Sequence, residues 1–347
     1  MGFSLISGLS AENVDNWGHL GGLIGGALLM TLLAPETAAE RIRRNRWVRR
    51  MTAIVCLCVS MLFGVWGPSL ISMTTRGEGS WTVPVPSYWK EGWTFTGDRG
   101  WFSPTGDATM VVTRTVQDRP LGDVAAVDKL IDRIAAAGHE PEVIERTPID
   151  IAGHDGVLLV IRFSLAGELQ ELRSVVLTRG VVTYRAHLQS SAKRASHYEP
   201  VLQRALAEAH LDTPEELTAA IERAKTYPRS WQPAVELGDA LYRTGQPAQA
   251  LAEYERALSF SPLQTQALVG RLRVYAFYGV VGGLSVAQES VAIASDDVRV
   301  LVAATEVFDS VGSHEESIAV LNRAWEEMPG NGIIRRARLR RGLSVDN

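Results

Sequence analysis

The chain has 347 residues, 46% of them hydrophobic and 21% charged, with a formal charge of −4. That apolar content excludes a disordered chain, two cysteines exclude a disulfide scaffold, and the charge excludes a strongly basic nucleic-acid binder, so no nucleic acid is expected as a partner. The average conceals a division: residues 1–76 hold seven arginines against four acids, a net of +3, which leaves −7 for the remainder.

Between Asn16 and Glu36 no residue is charged, and a second uncharged run, Thr52 to Thr75, is bracketed by Arg50 and Arg76. Each supplies about 20 residues, enough to cross a hydrocarbon layer of roughly 30 Å as a helix. Two transmembrane α-helices are therefore expected, the alternative for the first being a glycine-rich helix in a soluble core. Between them, residues 36–51 form a loop with six arginines. Such a loop stays in the cytoplasm. The expected protein is integral to a bacterial inner membrane, in contact with membrane lipid, with residues 77–347 exported. Cys56 and Cys58 fall in the second run, 52–75, and read as lipid-facing or packing residues, not ligands.

The first run opens with Asp15-Asn16-Trp17-Gly18-His19-Leu20-Gly21-Gly22 and continues to Gly25-Gly26. His19, Gly22 and Gly26 share one helical face, where glycines let a neighbouring backbone approach closely. An imidazole on that face can reach a side chain on the partner helix. Residues 1–35 resemble the last core transmembrane helix of rhomboid intramembrane serine proteases, whose pattern is Ala-His-x-x-Gly-x-x-x-Gly, with Gly18 here in place of the alanine. The resemblance implies that His19 is the base of a Ser–His dyad, with Gly22 and Gly26 packing beside it, and that substrates are transmembrane proteins. The family's Gly-x-Ser-Gly motif is absent from these 347 residues. A longer reading frame or a separate chain would have to supply the serine, and this chain alone is expected to be inactive.

Residues 77–212 read as a small α+β domain with an antiparallel sheet. Strand patterns run over 109–115, 156–163, 171–177 and 181–187, and Gly180 marks a hairpin turn between the last two. Helical spacing covers 121–137, with Val124, Val127, Leu130, Ile131 and Ile134 on one face, and a second helix spans 198–209. The opening, Trp81-Thr-Val-Pro-Val-Pro, is faintly similar to the PsbP/DcrB-like group. His139, His154, His187 and His197 show no metal-ligand spacing, so neither a metal nor a cofactor is expected.

Residues 213–347 read as an all-α array. A 34-residue frame from Trp231 to Gln264 places Leu237, Gly238, Ala250, Tyr254, Ala257 and Pro262 where tetratricopeptide repeats carry Leu, Gly, Ala, an aromatic, Ala and Pro. Gly238 and Ala250 would permit a close helix crossing, Tyr254 and Leu237 would fill the seam, and Pro262 would end the second helix. A later frame, Val298 to Asn331, matches in part, and the stretch 265–297 keeps the length but loses the marks. A half repeat ending at Pro228 precedes the first frame. The resemblance implies a groove that binds protein or peptide.

The overall expectation is the C-terminal part of a rhomboid-type serine endopeptidase carrying an exported protein-binding region. The alternative is a non-enzymatic, membrane-anchored tetratricopeptide adaptor.

Overall fold

A computed structural model describes residues 72–94 and 98–345. Ten strands and ten helices follow one another in that stretch. The strands are β1 (Met73–Glu78), β2 (Trp81–Pro86), β3 (Lys90–Trp93), β4 (Arg99–Phe102), β5 (Ala108–Val116), β6 (Glu142–Ile151), β7 (His154–Leu165), β8 (Glu168–Arg179), β9 (Val182–Ser191) and β10 (His210–Leu211). Helix α1 (Asp123–Ala136) lies between β5 and β6, and α2 (Ala195–Ala207) lies between β9 and β10. The remaining helices, α3 (Glu215–Thr226), α4 (Trp231–Arg243), α5 (Pro247–Phe260), α6 (Thr265–Tyr278), α7 (Gly283–Ile293), α8 (Val298–Ser310), α9 (His314–Glu327) and α10 (Gly332–Leu339), form the C-terminal array.

Seven strands pair in the order β3-β4-β5-β9-β8-β7-β6 and three more in the order β1-β2-β10, every pairing antiparallel. The long strands β6 to β8 are joined by two-residue turns, Ala152-Gly153 and Ala166-Gly167, with positive φ at both positions. That is the geometry that matches the right-handed twist of a hairpin. One face of the larger sheet buries Met110, Tyr184 and Leu188 against Trp81, α2 and the smaller sheet. The other face carries α1, whose Val127 and Leu130 pack on Leu159, Ile161 and Val176. The start of α1 is tied down by Asp123, whose carboxylate accepts the Thr178 N–H at 2.6 Å and the Thr178 hydroxyl at 2.7 Å. The exposed edge strand β6 is guarded by Pro148, by charged side chains and by an irregularity between Val143 and Glu145, devices that discourage pairing with another chain.

Sheet unit and array share one core, which runs from Trp81 and Tyr184 to Leu241, Ala250 and Tyr254. At the junction two turns touch backbone to backbone. Val181 N–H donates to Arg243 O at 3.1 Å, and a Cβ on Gly180 would lie 2.4 Å from that oxygen. Gly180 (φ +59°) and Gly245 (φ +75°) thus meet where no side chain fits.

Two points correct the expected architecture. Among the described residues no helix is long and apolar enough to cross a membrane, and the fold they form is a mixed one of antiparallel sheets and helices. The end of the second expected span, residues 73–75, belongs to β1, with Met73 opposite Pro86, Thr74 opposite Val85 and Thr75 opposite Pro84. Absence of charge does not separate a lipid-facing helix from a strand of uncharged polar residues, and Met73-Thr74-Thr75 finds its partner in the buried Trp81–Pro86 run. The rest of the two expected spans, the arginine-rich loop 36–51, and His19, Gly22 and Gly26 lie outside the described residues, as do the membrane-lipid contacts and the export inferred from them.

Candidate functional site

In the array, successive helices pair antiparallel about small residues. Ala250 and Ala257 of α5 are fully buried, as is Ala267 of α6. Tyr254 is 1% exposed, and its ring lies between two helices because Gly238 of α4 and Gly270 of α6 carry no side chain. A Cβ at Gly238 would stand 2.7 Å from that ring, and one at Gly270 only 2.3 Å. The Tyr254 hydroxyl donates to Asp239 Oδ1 at 2.7 Å. Burial and the Asp239 charge push the phenol far up, and burial pushes the Asp239 carboxyl up against the opposing effect of that hydrogen bond. Leu237 is half-buried against the shared core. Pro262 lies exposed two residues past the end of α5. Gly270 and Asp239, which complete the Tyr254 seat, escaped the repeat frame. Asp239 sits at a position the repeat pattern leaves open, and the second frame had lost its marks.

The second helix pair is irregular. Gly279 and Gly282 both adopt left-handed backbone, and α7 packs more on α8 than on α6. The first helices of the later pairs, α6, α8 and α10, together line an open groove of about 480 Å³. Ala276, Phe277, Val302 and Ala337 form its apolar lining, and Glu306, Asp309, Ser310, Arg340 and Arg341 its polar one. One further residue comes from the sheet unit: Arg119, in the link between β5 and α1. Its guanidinium lies 5.0 Å from the centroid of the Phe277 ring and 3.1 Å from Glu306 Oε1. The sheet unit therefore contributes to the wall of a groove that the repeat pattern placed in the helices alone.

Charges in the groove are partly spent on one another. Arg341 donates to Asp309 at 2.8 Å and to the Thr305 hydroxyl at 3.1 Å. Burial would raise the Asp309 carboxyl, but hydrogen bonds from Ser317, His314 and Arg341 outweigh it and hold it below the ordinary range. Asp309 is thus ionised at neutral pH and fixes Arg341 in place. Arg340 is exposed beside them. The arrangement offers apolar contact and ionic contacts of both signs.

The four histidines of the sheet unit are dispersed. His139 meets the Phe163 ring at a tilt, His154 stands 3.3 Å from an Arg179 nitrogen, His197 meets the edge of Tyr198, and His187 lies on the sheet face that carries α1. Among the described residues no group of three or more His, Cys, Asp or Glu side chains is placed to hold a metal ion.

No family model matches the chain, and no curated protein matches it. Among solved structures, cyanobacterial PsbP from Synechocystis sp. PCC 6803 is similar at 14% identity over 41% of this chain and 94% of that one, with a TM-score of 0.35. A tetratricopeptide repeat protein from Parabacteroides merdae is 18% identical over 35% of this chain and 48% of its own length, TM-score 0.31. MamA is 17% identical over 37% of this chain and 77% of that one, TM-score 0.29. With every TM-score below 0.5, these likenesses carry no weight beyond their own statement.

Proposed function

We propose that residues 72–345 form a protein-binding body whose groove takes an extended polypeptide segment with an apolar side chain flanked by charges. The observation that supports this is the open groove of about 480 Å³, in which Phe277, Val302 and Ala337 lie between acidic and basic side chains. Backbone-extended ligands suit such a surface because alternate side chains can be read by separate pockets while the array stays rigid. A displayed peptide library panned against the chain and against its Val302→Arg variant tests it. A motif enriched on the wild type should bind the variant about tenfold or more weakly, since a long charged side chain then fills the groove. Equal enrichment on both would end the assignment.

We also propose that this body recruits polypeptides to a rhomboid-type serine endopeptidase, a reading supported by the Gly18-His19-x-x-Gly22-x-x-x-Gly26 pattern alone. His19 would take the proton from a serine carried on another polypeptide segment and return it to the leaving amine. Co-production with a serine-bearing rhomboid segment should give cleavage of a model substrate that His19→Ala abolishes. Cleavage that survives His19→Ala would leave the non-enzymatic adaptor.

A further inference from the structure

A smaller cavity, of about 50 Å³, opens where the sheet unit meets the array, apart from the array groove. Three segments surround it. Arg179 comes from the end of β8, Thr244 and Gln246 from the turn between α4 and α5, and Asp212, Thr213 and Pro214 from the link between β10 and α3. The buried Tyr184 and Leu217 close it on the core side. Gly180 and Gly245 touch backbone to backbone beside it. The side chains that flank this contact, Arg179 on one turn and Thr244 and Gln246 on the other, therefore stand around a gap instead of packing on one another.

Two opposite charges line the cavity without pairing. Among the described residues the Arg179 guanidinium has one side-chain partner, His154 Nε2 at 3.3 Å. Arginine only donates, so His154 accepts there and brings no negative charge, and the guanidinium stays uncompensated. Asp212 stands exposed at the mouth. Its backbone N–H donates to Ser80 O at 2.9 Å, while its carboxylate pairs with no cation among the described residues. The neutral groups are partly spent. The Thr244 hydroxyl donates to Ala240 O at 2.9 Å and accepts from Gln246 Nε2 at 3.0 Å. That leaves the Gln246 amide oxygen as an acceptor. The Tyr184 hydroxyl meets the Ser80 hydroxyl only at 3.4 Å and can donate to an occupant.

These groups define the chemistry of that occupant. A simple anion would gain from Arg179 and be opposed by Asp212, and a simple cation would meet the reverse. A zwitterion satisfies both, with its carboxylate toward Arg179 and Tyr184 and its ammonium toward Asp212 and the Gln246 oxygen. Size narrows the choice. A water needs roughly 10–15 Å³ of such space, so the cavity takes a group of about five non-hydrogen atoms. Pro214 and Leu217 offer an apolar contact for a methyl group.

We propose that Arg179, Asp212, Tyr184 and Gln246 form a binding site for a small free α-amino acid, of the size of glycine or alanine, at the junction of the sheet unit and the array. Its occupant would touch both units at once. The site is separate from the array groove and does not depend on a polypeptide ligand there.

The test is calorimetric titration of the full chain with glycine and with alanine, and separately with acetate and methylammonium, which each carry one of the two charges. Glycine or alanine should saturate a single site per chain, and acetate and methylammonium should each bind about tenfold or more weakly, the factor carried by one charge-assisted hydrogen bond. Arg179→Met and Asp212→Asn should each weaken the amino acid by a similar factor. Asp212→Asn alters an exposed side chain, so it carries the comparison if Arg179→Met does not fold. Saturation by neither amino acid, acetate or methylammonium binding as tightly as glycine, or wild-type affinity in Asp212→Asn would overturn the proposal.

Discussion

In the helix array the tightest contacts are between a ring and two glycines. Tyr254 seats only because Gly238 and Gly270 lack a side chain. In the sheet unit a buried carboxylate is held between opposite charges. Glu171, 2% exposed, accepts from Arg162 at 2.9 Å and from Arg173 at 2.8 Å, and Arg173 continues to Glu199 of α2 at 3.1 Å. At these two places the array relies on shape and the sheet unit on compensated charge. The two also differ in reach. Tyr254 and Asp239 are 15 residues apart, whereas Arg185 and Thr115 are 70 apart and the Ser80–Tyr184 contact spans 104. A contact made within one repeat joins segments that are already neighbours in the chain. One made across the sheet occurs once, and its loss leaves a buried group with nothing to replace its partner.

That contrast can be broken most severely at Glu171. Glu171→Ala leaves Arg162 to solvent and Arg173 with Glu199 alone, so it should cost about 3 kcal/mol, the low end of the range for a buried pair. Urea melts read the loss, and a change below about 1 kcal/mol, the range of surface pairs, would mean that the network is effectively solvated. The array should respond less, because overpacking is shared among neighbours. Gly270→Ala places a Cβ against the Tyr254 ring and Ala250→Leu fills the seam, each costing about 1–3 kcal/mol, while the exposed neighbour change Gln249→Lys stays within about 0.5 kcal/mol. Circular dichroism melts separate the two classes, and equal tolerance at positions 249 and 250 would remove the close-packed seam from the account.

The smallest effect is confined to acid. Asp107 is held well below the ordinary carboxylate range: burial would raise it, but hydrogen bonds from Thr105, Tyr198, Ser103 and Arg194 prevail. Stability from this depressed carboxyl is complete above its unfolded value of about 4 and is lost as pH falls toward the folded value. Asp107→Asn should therefore narrow its stability gap to the wild type between about pH 5 and pH 3. Denaturation curves across that window check it, and a gap independent of pH would show that the clasp between the β4–β5 turn and α2 does not rest on the ionised carboxylate.

Legibility in the sequence followed the same contrast. The helices of the array and the strands β5, β7, β8 and β9 are readable from local patterns of period 3.6 and 2. The smaller sheet is not, because β1 is a polar run and β2 carries two prolines, so neither alternates in the usual way. Strand β6 was hidden by Pro148 and by a surface that is exposed along most of its length. Of the groove, the helices were readable but Arg119 was not, since nothing local marks a link residue as a groove wall. The polar half of the sheet face beside α1 was invisible for a related reason: Thr113, Ser174 and Arg185 are unremarkable within their own strands, and only the pairing register brings them to one face.

By itself the sequence determined where the chain repeats, which residues must be small for helices to cross, and which segments alternate as strands, because all of these depend on neighbours within one or two turns or strands. Tertiary structure alone decided that β1 begins at Met73, that Gly270 as well as Gly238 makes room for Tyr254, that Arg119 reaches the Phe277 ring, and that a buried guanidinium stands among unpaired hydroxyls. Each of those depends on segments tens of residues apart meeting in one register, and register follows from the burial of the whole sheet, which no local pattern encodes.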